Sequence, residues 1–164
     1  MKLHPFEGVM RVEKMERYIE CFVEPISSLL KKGKNFVEMC TTLYPAFYNQ
    51  EKLQDAIKEG VQKVTKFRIL LDRKVDIYTL KKDVSWIFDL QDKYSYTLEI
   101  AKASDDIEHW ILVDEKYFRI EAKDKQKRVN VLRTLQIENT PYIIAKEYMR
   151  QFDIWWNNAE EVSL

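Results

Sequence analysis

The chain has 164 residues, 46% of them apolar and 33% charged, enough for one domain with a real core. Its 27 basic residues balance 27 acidic ones, so no net field draws the protein to nucleic acid or membrane; only local patches could. Two cysteines are too few for a disulfide framework or a zinc site, no apolar run reaches the length of a membrane span, and no signal-peptide core begins the chain, so cytoplasmic residence is expected.

Residues 1–13 show little periodicity and read as an N-terminal arm, leaving 14–164 as a single α/β domain. From 13 to 32, apolar residues recur at three- and four-residue spacings from Met15 to Leu30, the stripe of an amphipathic helix. Pro25 is a place for a kink or a restart, and Gly33 is a candidate C-terminal cap. Residues 35–42 read as a strand. Pro45 breaks an aromatic connection, and Asn49 is positioned to cap a helix over 50–60. Residues 64–71 form the clearest strand. Its apolar end, Ile69-Leu70-Leu71, suits burial on both faces in a parallel sheet. Strand, helix, strand in this order is a right-handed crossover unit, with Asp72 at the carboxyl edge where open sheets keep their ligand sites.

A helix is expected over 78–93 and a strand over 97–102. Residues 108–121 then carry two short aromatic and β-branched runs, His109–Val113 and Tyr117–Ile120, joined by Asp114-Glu115-Lys116. That is a hairpin with a two- or three-residue turn. Trp110 and Leu112 share one face, and His109, Ile111 and Val113 the other. Residues 121–128 are a charged excursion, 129–137 return to strand spacing, and Thr140-Pro141 starts a final helix, with Thr140 as its cap. The whole reads as a mixed, mostly parallel sheet flanked by helices.

This order of elements, with Arg68-Ile-Leu-Leu-Asp72, Val113-Asp-Glu-Lys-Tyr-Phe-Arg-Ile-Glu121 and the tail Phe152-Asp-Ile-Trp-Trp-Asn-Asn-Ala159, resembles one half-unit of the phospholipase D-like fold over residues 14–162. The resemblance implies a catalytic pattern of a histidine, a lysine two positions on, and an aspartate five further. The histidine is the nucleophile and general acid of phosphodiester cleavage, the lysine holds phosphate oxygens, and the aspartate supports the site. Asp114 matches the aspartate. Ile107 falls at the nucleophile and His109 at the lysine. Isoleucine can neither attack phosphorus nor shuttle a proton, and neutral histidine brings less charge to a phosphate than lysine. The resemblance therefore implies a non-catalytic module, of the kind found as ligand-sensing or self-associating parts of archaeal transcription regulators, with another diverged relative in a membrane-remodelling adaptor. A single half-unit also implies a two-fold homodimer.

Asp72, His109 and Asp114 are the candidate ligand-binding residues, suited to a small anionic ligand. A residual phosphodiesterase or nuclease using His109 with Asp114 is the first alternative, although a lone strand histidine is more often a packed, hydrogen-bonded side chain. Nucleic-acid binding through Lys123, Lys125, Lys127 and Arg128 is the second, although interleaved acids make that run read first as a solvated face. Adjacent Trp155 and Trp156 point about 100° apart on a helix, so a groove or a protein partner is expected to meet them. No phosphate loop, dinucleotide fingerprint or protease motif appears. No metal or cofactor is expected, because too few ligating residues are arranged to converge.

Overall fold

The computed structural model describes the backbone of residues 6–11, 15–123 and 131–163, and the side chains of residues 22–121 and 136–163. Among the described residues, eight strands form one sheet: β1 Phe6–Arg11, β2 Phe36–Thr41, β3 Lys66–Leu71, β4 Leu98–Lys102, β5 His109–Val113, β6 Tyr117–Lys123, β7 Val131–Ile137 and β8 Glu160–Glu161. Their spatial order is β1-β7-β6-β5-β2-β3-β4-β8. The helices are α1 Met15–Lys31, α2 Pro45–Tyr48, α3 Glu51–Lys63, α4 Ile77–Asp83, α5 Ser85–Lys93 and α6 Tyr142–Asn157.

The sheet is mixed, as expected, but its parallel part is smaller than the sequence indicates. β2 pairs parallel with β3, and β3 with β4; the other five pairings are antiparallel. The reason is that the chain makes its two helical crossovers first and then meanders. The hairpin β5–β6 docks antiparallel on β2 through Val37↔Val113 and Cys40↔Trp110, and β7 follows beside β6. Within the stretch expected as an arm, β1 pairs with β7 in the register Phe6↔Gln136.

The two faces of the sheet bury separate apolar layers. On one, Val37, Met39, Phe67, Ile69, Ile111 and Val113 pack with Leu30 of α1 and Leu53 and Ile57 of α3. On the other, Cys40, Leu70, Trp110, Leu112, Phe118 and Ile120 pack under α6, which supplies Phe152 and the part-buried Tyr148, Met149, Trp155 and Trp156. The alternation predicted for the hairpin places each residue on its observed face. Gly33 has no left-handed backbone and does not act as that kind of cap; a Cβ there would meet Val64 Cγ1 at 3.0 Å, a tight contact that the glycine avoids.

Three boundaries depart from the sequence pattern. The helix expected over 78–93 is two helices, broken at Val84, whose backbone leaves helical geometry at φ −129° and ψ 45°. Gln50 rather than Asn49 precedes α3; Asn49 instead receives the indole N–H of Trp86 and donates to the carbonyl of Asp83, tying α2 to α4 and α5. Thr140 does not cap α6. Its hydroxyl donates to the carbonyl of Lys116, locking the helix start to the hairpin turn. No described helix is long and apolar enough to cross a membrane.

Candidate functional site

Parallel strands β2 and β3 end side by side, and β5 begins at the same edge because it runs antiparallel to β2. Thr41, Asp72 and His109 therefore meet there. His109 Nε2 lies 3.0 Å from Asp72 Oδ2, and Asp72 Oδ1 accepts from the amide of Lys74 at 2.9 Å. An ionised carboxylate only accepts, so Nε2 carries the proton toward Asp72. Burial alone would raise Asp72, but the Lys74 amide and His109 outweigh it and hold the carboxyl below its usual range.

Beside this pair a cavity of about 50 Å3 opens between β2, β5, β6, α1 and α2. Thr41, Thr42, Tyr44, Tyr48, His109, Arg119 and Glu121 line it, with Ile26 and Phe47 as apolar wall. That volume admits a few waters or a small polar group. Across the hairpin, Ile111 faces Arg119 and His109 faces Glu121, so Arg119 and Glu121 lie on the cavity face. Arg119 is 5% exposed; its Nη1 donates to Gln136 Oε1 at 2.8 Å, and its guanidinium lies 4.8 Å from the Phe22 ring centre. Burial pushes the Tyr48 phenol up, so it remains protonated. Burial does the same to the Cys40 thiol, which is no nucleophile near neutral pH.

The connection after β2 is strained. Leu43 is fully buried yet sits at φ 52°, a left-handed conformation that costs a branched residue roughly 1–2 kcal/mol. Its amide donates to Thr41 Oγ1 at 3.0 Å. The strained turn presents Thr42 and Tyr44 to the cavity, the kind of placement at which backbone strain is concentrated in binding sites.

Asp114 is not part of this site. It lies at the far end of β5, roughly 16 Å along the strand from His109. Its carboxylate accepts three backbone amides, from Lys34, Asn35 and Phe36, at 2.7, 2.7 and 2.9 Å. Asp114 and Glu115 both have positive φ, 57° and 58°, and the Lys116 amide closes on the Val113 carbonyl. This is a two-residue turn of the primed type. The expected grouping of Asp72, His109 and Asp114 thus reduces to Asp72 and His109, because the strand length separates the third member. Ile107 packs part-buried against the apolar layer under α6.

Trp155 and Trp156 both find partners inside the chain. Trp155 packs 6.4 Å from the Trp110 ring, and Trp156 stacks on Phe152 at 5.5 Å. The groove expected for them is formed by β3, β5 and α6 itself. Lys125, Lys127 and Arg128 lie outside the described residues, as does the side chain of Lys123. Among the described residues, no three His, Cys, Asp or Glu side chains converge on a metal position. Sequence reasoning missed Arg119, Tyr48 and Thr41. The signal for Arg119 was present: a charge between Phe118 and Ile120 in a hairpin whose face it shares with Tyr117.

No protein-family model and no curated protein matches the chain. Solved structures match it closely in shape. TrmBL2, an archaeal chromatin protein with a novel mode of DNA binding, superposes with a TM-score of 0.69 at 20% identity, over 95% of this chain and 54% of that one. Nuc from Salmonella typhimurium, a phospholipase D family member, gives 0.65 at 12% identity, over 97% of this chain and 100% of that one.

The fold is phospholipase D-like.

Phosphatidylserine synthase from Haemophilus influenzae Rd KW20, with a TM-score of 0.63 at 12% identity, matches 96% of this chain and 39% of its own. The chain thus spans a whole Nuc chain but about half of TrmBL2, the proportions of one half-unit of the phospholipase D-like arrangement.

Proposed function

We propose that this chain is a non-catalytic phospholipase D-like module that binds a ligand or partner at the His109 edge, within a self-associating regulatory assembly. The observation that carries the reading is the replacement of the reacting pair. Ile107 occupies the nucleophile's place in the pattern, and His109 is engaged by Asp72 at the side of a small cavity. His109 and Asp114 lie at opposite edges, so the residual phosphodiesterase reading loses its two-residue machinery.

The decisive assay is hydrolysis of bis(p-nitrophenyl) phosphate by the wild type and His109→Ala. Equal, background-level rates are expected. A wild-type rate that vanishes in the variant overturns the reading. Light scattering at high protein concentration tests self-association, and a monomer would remove that part of it.

A second reading has support from the likeness to a DNA-binding chromatin protein. In it, the basic run Lys123, Lys125, Lys127 and Arg128 contacts phosphates. Duplex DNA binding that weakens steeply with salt, and with a shallower salt dependence after charge reversal of those four residues, would establish it.

A further inference from the structure

Between the sheet and α6 a charged cluster runs from inside an apolar layer out to the surface. Glu38, in the middle of β2, is 2% exposed. One of its oxygens lies 3.5 Å from Arg68 Nη2 on β3, and the other has no hydrogen-bond partner. The same Arg68 nitrogen lies 3.1 Å from Asp153 Oδ1 on α6. The Arg68 guanidinium is roofed by aromatic rings, 4.9 Å from the centre of Phe152 and 5.4 Å from that of Trp156.

The distances are unequal in an informative way. A charge-assisted bond between a guanidinium and a carboxylate closes to about 2.7–2.9 Å. The Asp153 contact approaches that range and the Glu38 contact does not. A buried carboxylate 3.5 Å from Arg68, with its second oxygen bare, has its charge poorly compensated, which favours taking up a proton. Arg68 therefore has one firm partner, on the helix, and one waiting partner, in the sheet.

We infer that Glu38, Arg68 and Asp153 form a proton-operated exchange. With Glu38 protonated, Arg68 holds Asp153 and pins α6 to the sheet; when Glu38 loses its proton, Arg68 is drawn inward to it, its grip on Asp153 loosens, and the aromatic roof of Phe152 and Trp156 repacks.

The surroundings are consistent with this. Burial raises Glu38 to about 7, Arg68 opposes the rise and Asp153 adds to it. Cys40 on the same strand stays a neutral thiol. Glu99, directly opposite Arg68 on β4, is occupied by Lys66. From α6, Tyr148 is raised by burial and remains neutral; Glu108, ahead of β5, acts on Cys40 and Tyr148. Burial thus keeps Glu38 protonated to a higher pH than an exposed carboxyl. Both ends of α6 are fixed, by Thr140 on Lys116 and by β8 on β4, so the exchange tilts the packing of the helix without releasing it.

The test follows the indole N–H resonances of Trp110, Trp155 and Trp156 by NMR in the full chain, from about pH 5 to about pH 9. Wild type is expected to show one titration centred on Trp156. Glu38→Gln abolishes it. Asp153→Asn, at an exposed position, moves it to lower pH, because a repelling charge is lost and Arg68 becomes fully available to Glu38. His109→Asn leaves it unchanged. A titration that survives Glu38→Gln, that disappears with His109→Asn, or that moves up with Asp153→Asn overturns the inference, as does its absence in a folded wild type. If Glu38→Gln fails to fold, the direction of the Asp153→Asn shift alone decides.

Discussion

Asp114 Oδ1 accepts the amide of Asn35 at 2.7 Å, joining the hairpin turn to the segment that enters β2. Two further amides, of Lys34 and Phe36, share the same carboxylate. The residue that the catalytic pattern places beside the chemistry acts instead as a staple at the opposite edge. Asp114→Ala leaves three amides without their acceptor and is expected to cost about 2–4 kcal/mol in urea unfolding. Asp114→Asn, which keeps one acceptor oxygen and tolerates positive φ, is expected to lose less. Equal losses would mean that the side chain, and not its oxygens, matters.

The turn itself is not optimised. Primed two-residue turns favour glycine at the second position, and Glu115 stands there at φ 58°. Glu115→Gly is expected to raise stability by about 0.5–1 kcal/mol. It loses an exposed ion pair to Lys146, 3.1 Å long, which offsets only part of that gain. Thermal unfolding of the single variant measures the balance; a lower midpoint would place the turn in another class.

Glu38 sets a pH dependence of stability whose sign can be worked out. Its folded-state value is raised from 4.5 to about 7. As pH rises through that window the unfolded chain releases the proton first, so the folded state loses stability from about pH 4.5 to about pH 7 and is level above it. The full penalty is on the order of 3 kcal/mol. Glu38→Gln, nearly the same in shape but without the titrating charge, is expected to flatten this part of the profile and to be the more stable protein above pH 7. Denaturant midpoints across pH check it; parallel profiles for both proteins would refute it.

Trp155 and Trp156 are expected to matter to the monomer. Each truncation to alanine removes ring contacts with Trp110 or Phe152 and is expected to cost about 2 kcal/mol. Unfolding curves alongside light scattering separate the two roles. Unchanged stability with a smaller particle would assign the pair to an interface.

The elements that could be read from the sequence are those with one strong period. The crossover strands β2 and β3, the alternation of the hairpin and the stripe of α1 all follow from local spacing. Tertiary partners decided the rest. Thr140 has the chemistry of a cap but finds the Lys116 carbonyl nearer. Asn49 likewise serves Trp86 and Asp83, which lie far along the chain. Edge strands β1 and β8 are defined by their neighbours rather than by their own pattern. At the site, Asp72 and His109 were visible from their places at strand ends. Arg119 required the cross-strand register, and Asp114 misled because sequence distance along a strand is also spatial distance.

The layer beneath α6 has a consequence for how the protein is made. Trp110, Leu112, Phe118 and Ile120 are covered by α6, which is synthesised after every strand of the layer it covers. Until then the growing molecule is a sheet with one finished side, its crossover helices already seated and its other side oily and bare. Such an intermediate is a substrate for chaperones and a hazard at high expression. The docking of α6 decides whether the product is a folded protein or a sticky one.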